Sequence, residues 1–277
     1  GVDAFYLYLL GSLLPIMIIG FIDGLQGVSV SPVYRIIAQI LSSWIVIATT
    51  DIYVQDLGDI LGFGPLYIGQ LGIPFTIFSV VGICNAFNML DGKDGLLGSV
   101  AVIIMSSLLL LFYFNGLIYQ WAQIVALGIL VYLAFNLSLF GQKRKIFLGD
   151  HGSTGLGHII AWSLIFLSQE TDFITPVSAL WFVLLPLTDA ILTFSRRIKT
   201  SRSILQGDRL HFHHILSDKG FSDPMIALIC SFITIFGCSI AILSNIFSSK
   251  EYLLLFGYIT LVFIILFPGL IKPIEDD

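Results

Sequence analysis

Four polar clusters interrupt an otherwise apolar chain, and each holds residue types that handle phosphates or the cations that accompany them. The stretch KRKIFLGDHGSTGLG, Lys143 to Gly157, sets Asp150 among small residues behind the basic run Lys143-Arg144-Lys145. A second stretch, NAFNMLDGKDG, repeats Asn85, Asn88, Asp91 and Asp94 at every third position, which on a helical turn brings all four onto one face. Gly92 and Gly95 let the backbone leave that helix and approach a ligand closely. A third stretch runs Asp208-Arg209-Leu210-His211-Phe212-His213-His214, after a basic segment from Arg196 to Arg202. The last cluster is Asp23 alone, in GFIDGLQG.

Asp150, with Asp91 or Asp94 beside it, supplies oxygen ligands for a hard cation such as Mg²⁺, which completes its shell with waters and substrate phosphates. Gly152, Ser153 and Thr154 precede an apolar segment, so their N–H groups and the positive helix end suit a phosphate. Arg209, His211, His213 and His214 suit charge-assisted donation to a diphosphate better than zinc, which would need further His or Cys ligands nearby. Plainer explanations exist for single features. Asp23 before Gly24 is an ordinary helix terminator, an Asp-Gly pair makes an Asx turn, and basic runs anchor the ends of membrane spans. Four amides and carboxylates in register exceed what capping requires, and ionisable groups at a membrane edge mark a site. His151 is ambiguous and receives no role. The set is the equipment of phosphoryl transfer, in which metal and cationic groups neutralise phosphates that the protein positions.

The elements that must position these groups are membrane helices. Hydrophobic residues make up 57% of the chain and charged residues 11%, with a mean hydropathy of +0.96. Soluble domains carry about a quarter charged residues. The expected fold is an all-α polytopic transmembrane bundle, a single domain over residues 1–277, with about nine spans. These are Ala4–Phe21, Ile36–Thr49, Gly69–Ala86, Leu96–Phe114, Tyr119–Leu139, Thr154–Ser168, Pro176–Phe194, Pro224–Phe247 and Tyr252–Ile271. Loops after odd-numbered spans hold Arg35, Lys93, Lys143, Arg144, Lys145, Arg196, Arg197, Lys199, Arg202, Arg209 and Lys219. The opposite loops hold Lys250 together with Asp51, Asp56, Asp59, Glu170 and Asp172. The positive-inside rule then puts all four clusters on the cytoplasmic face of the inner membrane. Cys84, Cys230 and Cys238 read as buried apolar residues, since Cys230 and Cys238 would stand roughly 12 Å apart on one helix. No basic n-region or small-residue cleavage site marks the start as a signal peptide, and a segment upstream of Gly1 is expected.

The motifs NAFNMLDGKDGLLG, FLGDHGSTGLG and DRLHFHH, in this order, resemble those of the polyprenyl-phosphate N-acetylhexosamine-1-phosphate transferases, from Gly20 to about Phe221. The DRxHxHH form is similar to the branch that uses UDP-N-acetylglucosamine. The resemblance implies eleven spans, so two N-terminal helices of the family would precede this chain. It implies that Asp150 coordinates a catalytic Mg²⁺ (Mn²⁺ as a substitute) with Asp91 in the metal region. Asn85, Asn88, Asp91 and Asp94 would line the nucleotide and metal region, Phe147 would lie near the uracil, and Arg209, His211, His213 and His214 would contact the sugar diphosphate. It also implies an adjacent Asp pair in the first loop, where this chain has Asp23-Gly24. The partners implied are a UDP-N-acetylhexosamine and undecaprenyl phosphate, with no nucleic acid, a homodimer being compatible. The reaction implied initiates a lipid-linked glycan such as O-antigen, enterobacterial common antigen or a teichoic acid linkage unit. Two other readings stand beside it: a degenerate or truncated relative that binds without turnover, favoured by Gly24, and a membrane transporter, disfavoured because the ionisable residues sit in loops on one face.

Overall fold

Backbone in a lipid core has no water to bond with and must satisfy itself within helices. The computed structural model describes residues 2–25, 30–117, 119–199 and 211–271, and these are helical with no strand among them. The helices in chain order are α1 (Val2–Ser12), α2 (Leu14–Asp23), α3 (Pro32–Thr50), α4 (Gly72–Leu90), α5 (Leu96–Phe114), α6 (Gln120–Asn136), α7 (Gly149–Gln169), α8 (Pro176–Phe182), α9 (Leu184–Lys199), α10 (Phe212–Asp218), α11 (Asp223–Ile246) and α12 (Glu251–Ile271). Cys84, Cys230 and Cys238 are buried free thiols, as expected.

Two expected spans are interrupted, and proline explains both. Pro15 cannot donate to Gly11, and the first apolar run breaks between Ser12 and Leu14, although Ala4–Asp23 still qualifies as one span. Pro186 cannot donate to Phe182, and α8 ends at Phe182, with α9 leaving at 83°. Gly237 of α11 packs on this corner, where a Cβ would fall 2.4 Å from the Trp181 carbonyl oxygen.

Five helical segments are long and apolar enough to cross a membrane, or six when α8 and α9 count as one broken span. Among the described residues that count does not confirm the expectation of about nine; Gln120–Asn136 and Glu251–Ile265 are apolar but shorter. α7 is absent from the count for a physical reason. Its 21 residues would reach about 30 Å, but its first half, GDHGSTGLGH, is small and polar. Every residue from Ser153 to Leu167 except Ile159 is buried by protein, so α7 does not need an apolar surface. By contrast, Leu7, Leu10, Leu14, Ile18 and Phe21 on α1 and α2, and Leu253, Phe256, Ile259 and Phe263 on α12, are exposed and form an apolar perimeter.

The bundle is built around the packing of α7 on α4. Gly157 makes that approach close, because a Cβ there would fall 2.9 Å from the Cys84 Cα and 3.1 Å from the Ile83 carbonyl oxygen. Next to it, Phe5 stacks on Phe166 and Tyr6 on Trp121, joining α1 to α7 and α6.

The loops fall at two ends. At one end Gln169 binds the segment between α3 and α4, accepting from the amides of Gln55 and Asp56 and donating to the Asp56 carbonyl. There too the Asp59 amide donates to Glu251 at 3.2 Å, and Asn245 donates to the Phe173 carbonyl. Asp23, Asp91, Asp94, Asp150 and the histidines from His211 to His214 lie at the opposite end. We expect Gly157→Leu to lower the thermal unfolding temperature in detergent by several degrees, in line with about 1–3 kcal/mol for overpacking. Gly128→Ala, where no atom lies within 4 Å of the added Cβ, should change it little.

Candidate active site

Asp23 is the last residue of α2, and both its carboxylate oxygens are engaged. Oδ1 accepts the Val30 amide at 2.7 Å and Oδ2 accepts an Arg35 terminal nitrogen at 2.6 Å. Arg35 stands one turn into α3, where Ser31 and Pro32 start the helix. Its other terminal nitrogen donates to Asp150 Oδ2. One planar guanidinium therefore joins the Asp23 and Asp150 clusters, which lie far apart in the chain; a lysine ammonium could not present two forked donors in this way.

Asp150 lies in the first turn of α7, where the helix dipole favours a negative charge. Asp91 caps the end of α4 and is half-buried. Burial, and then the nearby Asp150 charge, raise its carboxyl to about 6. The structure thus joins Asp23, Arg35 and Asp150 directly and sets Asp91 near Asp150. Among the described residues no group of three or more His, Cys, Asp and Glu side chains could hold a metal. Two carboxylates such as Asp91 and Asp150 still suit a Mg²⁺ that takes its other ligands from water and phosphate.

The expected single helical face carrying Asn85, Asn88, Asp91 and Asp94 is only half present. α4 ends at Leu90, and the two aspartates lie in the turn that follows. Their side chains spread to different partners. Asn85 donates to Gln39 Oε1 at 2.8 Å, Asn88 to Ser153 Oγ at 3.0 Å, and Asp94 pairs with Lys145 at 2.5 Å. The amides therefore tie α4 to α3 and α7, while Asp94 anchors the loop before α7. Lys145 also covers the Phe147 ring at 4.9 Å, and Phe147 is exposed. The phosphate cradle also shifts. α7 begins at Gly149, so the amides of Gly152, Ser153 and Thr154 fall beyond the free N–H groups of its first turn.

The three histidines gather on α10 and its first flank. The rings of His211 and His213 stack at 5.7 Å, and His214 lies 4.1 Å from His213. His211 Nδ1 is 3.2 Å from Asp189 Oδ2 and 3.1 Å from Thr193 Oγ1. Asp189 Oδ1 accepts the Phe212 amide at 2.7 Å. His213 is buried, neither ring nitrogen has a hydrogen-bond partner, and burial followed by the His214 charge lowers it to about 4. That shift favours an uncharged imidazole near neutral pH. Arg209 and Asp208 lie outside the described residues.

Arg35, Asn136 and Asp189 organise the site without having been singled out from the sequence. Asn136 accepts the Gly95 amide at 2.7 Å and donates to the Ile146 carbonyl at 3.0 Å, joining the Asp94 turn to the Lys145 loop. The available signal was a lone polar residue inside an apolar run, which for Asp189 and Asn136 marks a function at membrane depth. Arg35 looked like an ordinary positive anchor.

A helical bundle with an apolar perimeter and a polar site at one end is a multi-pass membrane protein. The chain belongs to glycosyl transferase family 4, whose model matches residues 6–168. It is 31% identical over 83% of its length to an undecaprenyl-phosphate alpha-N-acetylglucosaminyl 1-phosphate transferase of Escherichia coli O157:H7, covering 63% of that protein. Proteins of the same name from Haemophilus influenzae and Yersinia pestis are 34% and 33% identical over 94% and 75% of this chain, which covers 73% and 57% of theirs. The chain thus spans less than two thirds of several of the relatives it matches.

A histidine lowered in the folded state costs stability wherever the unfolded chain binds the proton and the folded one does not. Stability should therefore fall as pH drops from about 6.5 to about 4. The difference in unfolding temperature between the unmodified protein and His213→Gln should shift in favour of His213→Gln across that window. An unchanged difference would mean that His213 is not held neutral.

Proposed function

We propose that this protein transfers N-acetylglucosamine 1-phosphate from UDP-N-acetylglucosamine to undecaprenyl phosphate, releasing UMP. The observation that carries this is the joining of Asp23 and Asp150 through Arg35, with Asp91 near Asp150 and the Asp91 turn against the histidine helix, in a chain of glycosyl transferase family 4. The names of its relatives supply the acceptor and the sugar phosphate. A lipid acceptor also fits a polar site at the end of a membrane bundle.

An oxygen of the undecaprenyl phosphate attacks the β-phosphorus of the donor. The P–O bond to the α-phosphate breaks, and UMP leaves with that oxygen. The acceptor is a phosphate monoester with a second pKa near 6, so it is already largely dianionic at pH 7 and needs no strong base. Asp150 and Asp91 would hold the Mg²⁺, with Mn²⁺ as a substitute. Bound there, the metal would supply charge neutralisation on the diphosphate. Arg35 keeps Asp23 and Asp150 fixed, and on donor binding its guanidinium can turn to a phosphate oxygen, for which its fork is equally suited. His211, oriented by Asp189, would donate to the departing or bridging oxygens. Phe147 would offer a face to the uracil and Arg209 a further cation. The active site would face the cytoplasm of the bacterial inner membrane, where the basic loops belong, and the product would start a lipid-linked envelope glycan.

A second reading is a relative that binds substrate without turnover, and one observation favours it: Gly24 takes the place of the second carboxylate that the family resemblance implies. The fold does not forbid that carboxylate, because a Cβ on Gly24 would meet its nearest neighbours at an ordinary 3.5 Å and the backbone φ of −76° suits any residue.

The test is UMP release by the purified full-length protein with undecaprenyl phosphate, UDP-N-acetylglucosamine and Mg²⁺. Lipid-dependent release is expected, with Asp150→Asn lowering it at least a thousandfold while helical content stays intact. Full activity in Asp150→Asn would overturn the assignment. Gly24→Asp should raise turnover if the second carboxylate matters. Silence in both the unmodified protein and Gly24→Asp, with nucleotide still bound, would establish the non-catalytic reading.

A further inference from the structure

The turn between α4 and α5 touches the histidine helix at two adjacent residues. A Cβ on Gly92 would fall 2.5 Å from His213 Nε2, so the imidazole rests against bare backbone. Next to it, Lys93 Nζ pairs with Asp223 Oδ1 at 2.8 Å, in the first turn of α11, and donates to Ser217 Oγ at 3.3 Å. His213 and Ser217 are four residues apart on α10 and so share one face, the face turned to this loop. α10 has seven residues, too few to be stable alone, where a helix of fewer than about 12 residues is marginal in water. Its position therefore depends on what holds it. Asp189 secures its start through the Phe212 amide, and Phe212 and Leu216 pack against the core. Near its other end, Lys93 is the polar tie to the turn that carries Asp91.

We propose that Lys93 is a positioning residue. It clamps the end of α10 and the start of α11 to the Asp91–Asp94 turn, fixes His213 over Gly92, and thereby sets how tightly the nucleotide-sugar donor is held. The inference rests on the transferase reading above. The ion pair is partly exposed, with side-chain exposures of 21% and 44%, and pairs of this kind add little to global stability. Its loss should therefore loosen α10 without unfolding the bundle.

The experiment compares the unmodified full-length protein with Lys93→Met, Lys93→Arg, Asp223→Asn and His213→Ala in lipid nanodiscs. Hydrogen exchange across residues 212–218 gives an arm independent of activity, and initial rates give donor KM, acceptor KM and kcat. Lys93→Met should speed exchange in 212–218 and raise donor KM about fivefold, with acceptor KM and kcat within twofold and the unfolding temperature unchanged. Asp223→Asn should act in the same direction, and Lys93→Arg should restore both readouts. In a His213→Ala background, Lys93→Met should have no further effect on donor KM, since the clamp acts through that ring. Unchanged exchange in 212–218, an unchanged donor KM, or a full KM effect that persists without His213 would each overturn the proposal. If the unmodified protein released no UMP, the transferase reading would fail, and the exchange arm alone would decide whether the clamp exists.

Discussion

Crowded carboxylates at the edge of a membrane must be matched by positive charge, and in this molecule the match is made across the chain. Asp23 and Asp150 both lie on Arg35. The rest of that end follows the same rule, with Lys145 on Asp94 and Lys93 on Asp223. For Asp91 no ion pair is seen among the described residues, burial and Asp150 push its carboxyl up to about 6, and a bound cation would lower it. In the proposed reaction this site is where a divalent ion would bind together with an anionic substrate. It is not a finished cage.

The helices deliver these charges because of where the backbone is allowed to break. Prolines 15 and 186 cut two apolar runs, and the second cut turns α9 by 83°, carrying Asp189 on the α9 side of the corner. Asp189 then orders His211 and the first amide of α10. A straight helix from Pro176 to Phe194 would point its end elsewhere, so the corner is part of how the histidines reach the site. α7 shows the complementary constraint. Its small and polar first half would be costly against lipid, but against α4 it allows the close approach at Gly157 and places Asp150 next to the end of α4.

The histidine cluster is unlike a row of surface cations. His213 is buried without a hydrogen-bond partner for either ring nitrogen, and burial lowers its pKa to about 4; in the proposed reaction it would act as a shaped, uncharged donor or acceptor. An unpartnered buried imidazole carries a desolvation cost, and a ligand that bonds with it recovers that cost on binding. Positive charge near the donor would then come from Arg35 and from the basic residues of the adjoining loops.

Much of this protein was legible in the chain itself. The length and apolar character of its runs determine membrane helices, because only helices or closed barrels satisfy backbone groups in lipid. The segregation of basic residues places the polar clusters at one end, since alternating spans leave alternate loops together. Asp91, Asp150 and the histidines stand out as candidates because ionisable groups at a membrane edge need a reason to be there, whereas Asp23 reads as a helix terminator apart from the family resemblance. The tertiary structure alone decided the rest. A run of apolar residues does not reveal whether lipid or protein will surround it, as the buried second half of α7 shows. Residue type does not disclose a partner far along the chain, so Arg35 passed for a surface anchor, although it is the joint between two loops. The neutrality of His213 and the separate partners of Asn85, Asn88 and Asp94 likewise depend on neighbours that sequence spacing does not specify, because burial and charge act through space and not along the backbone.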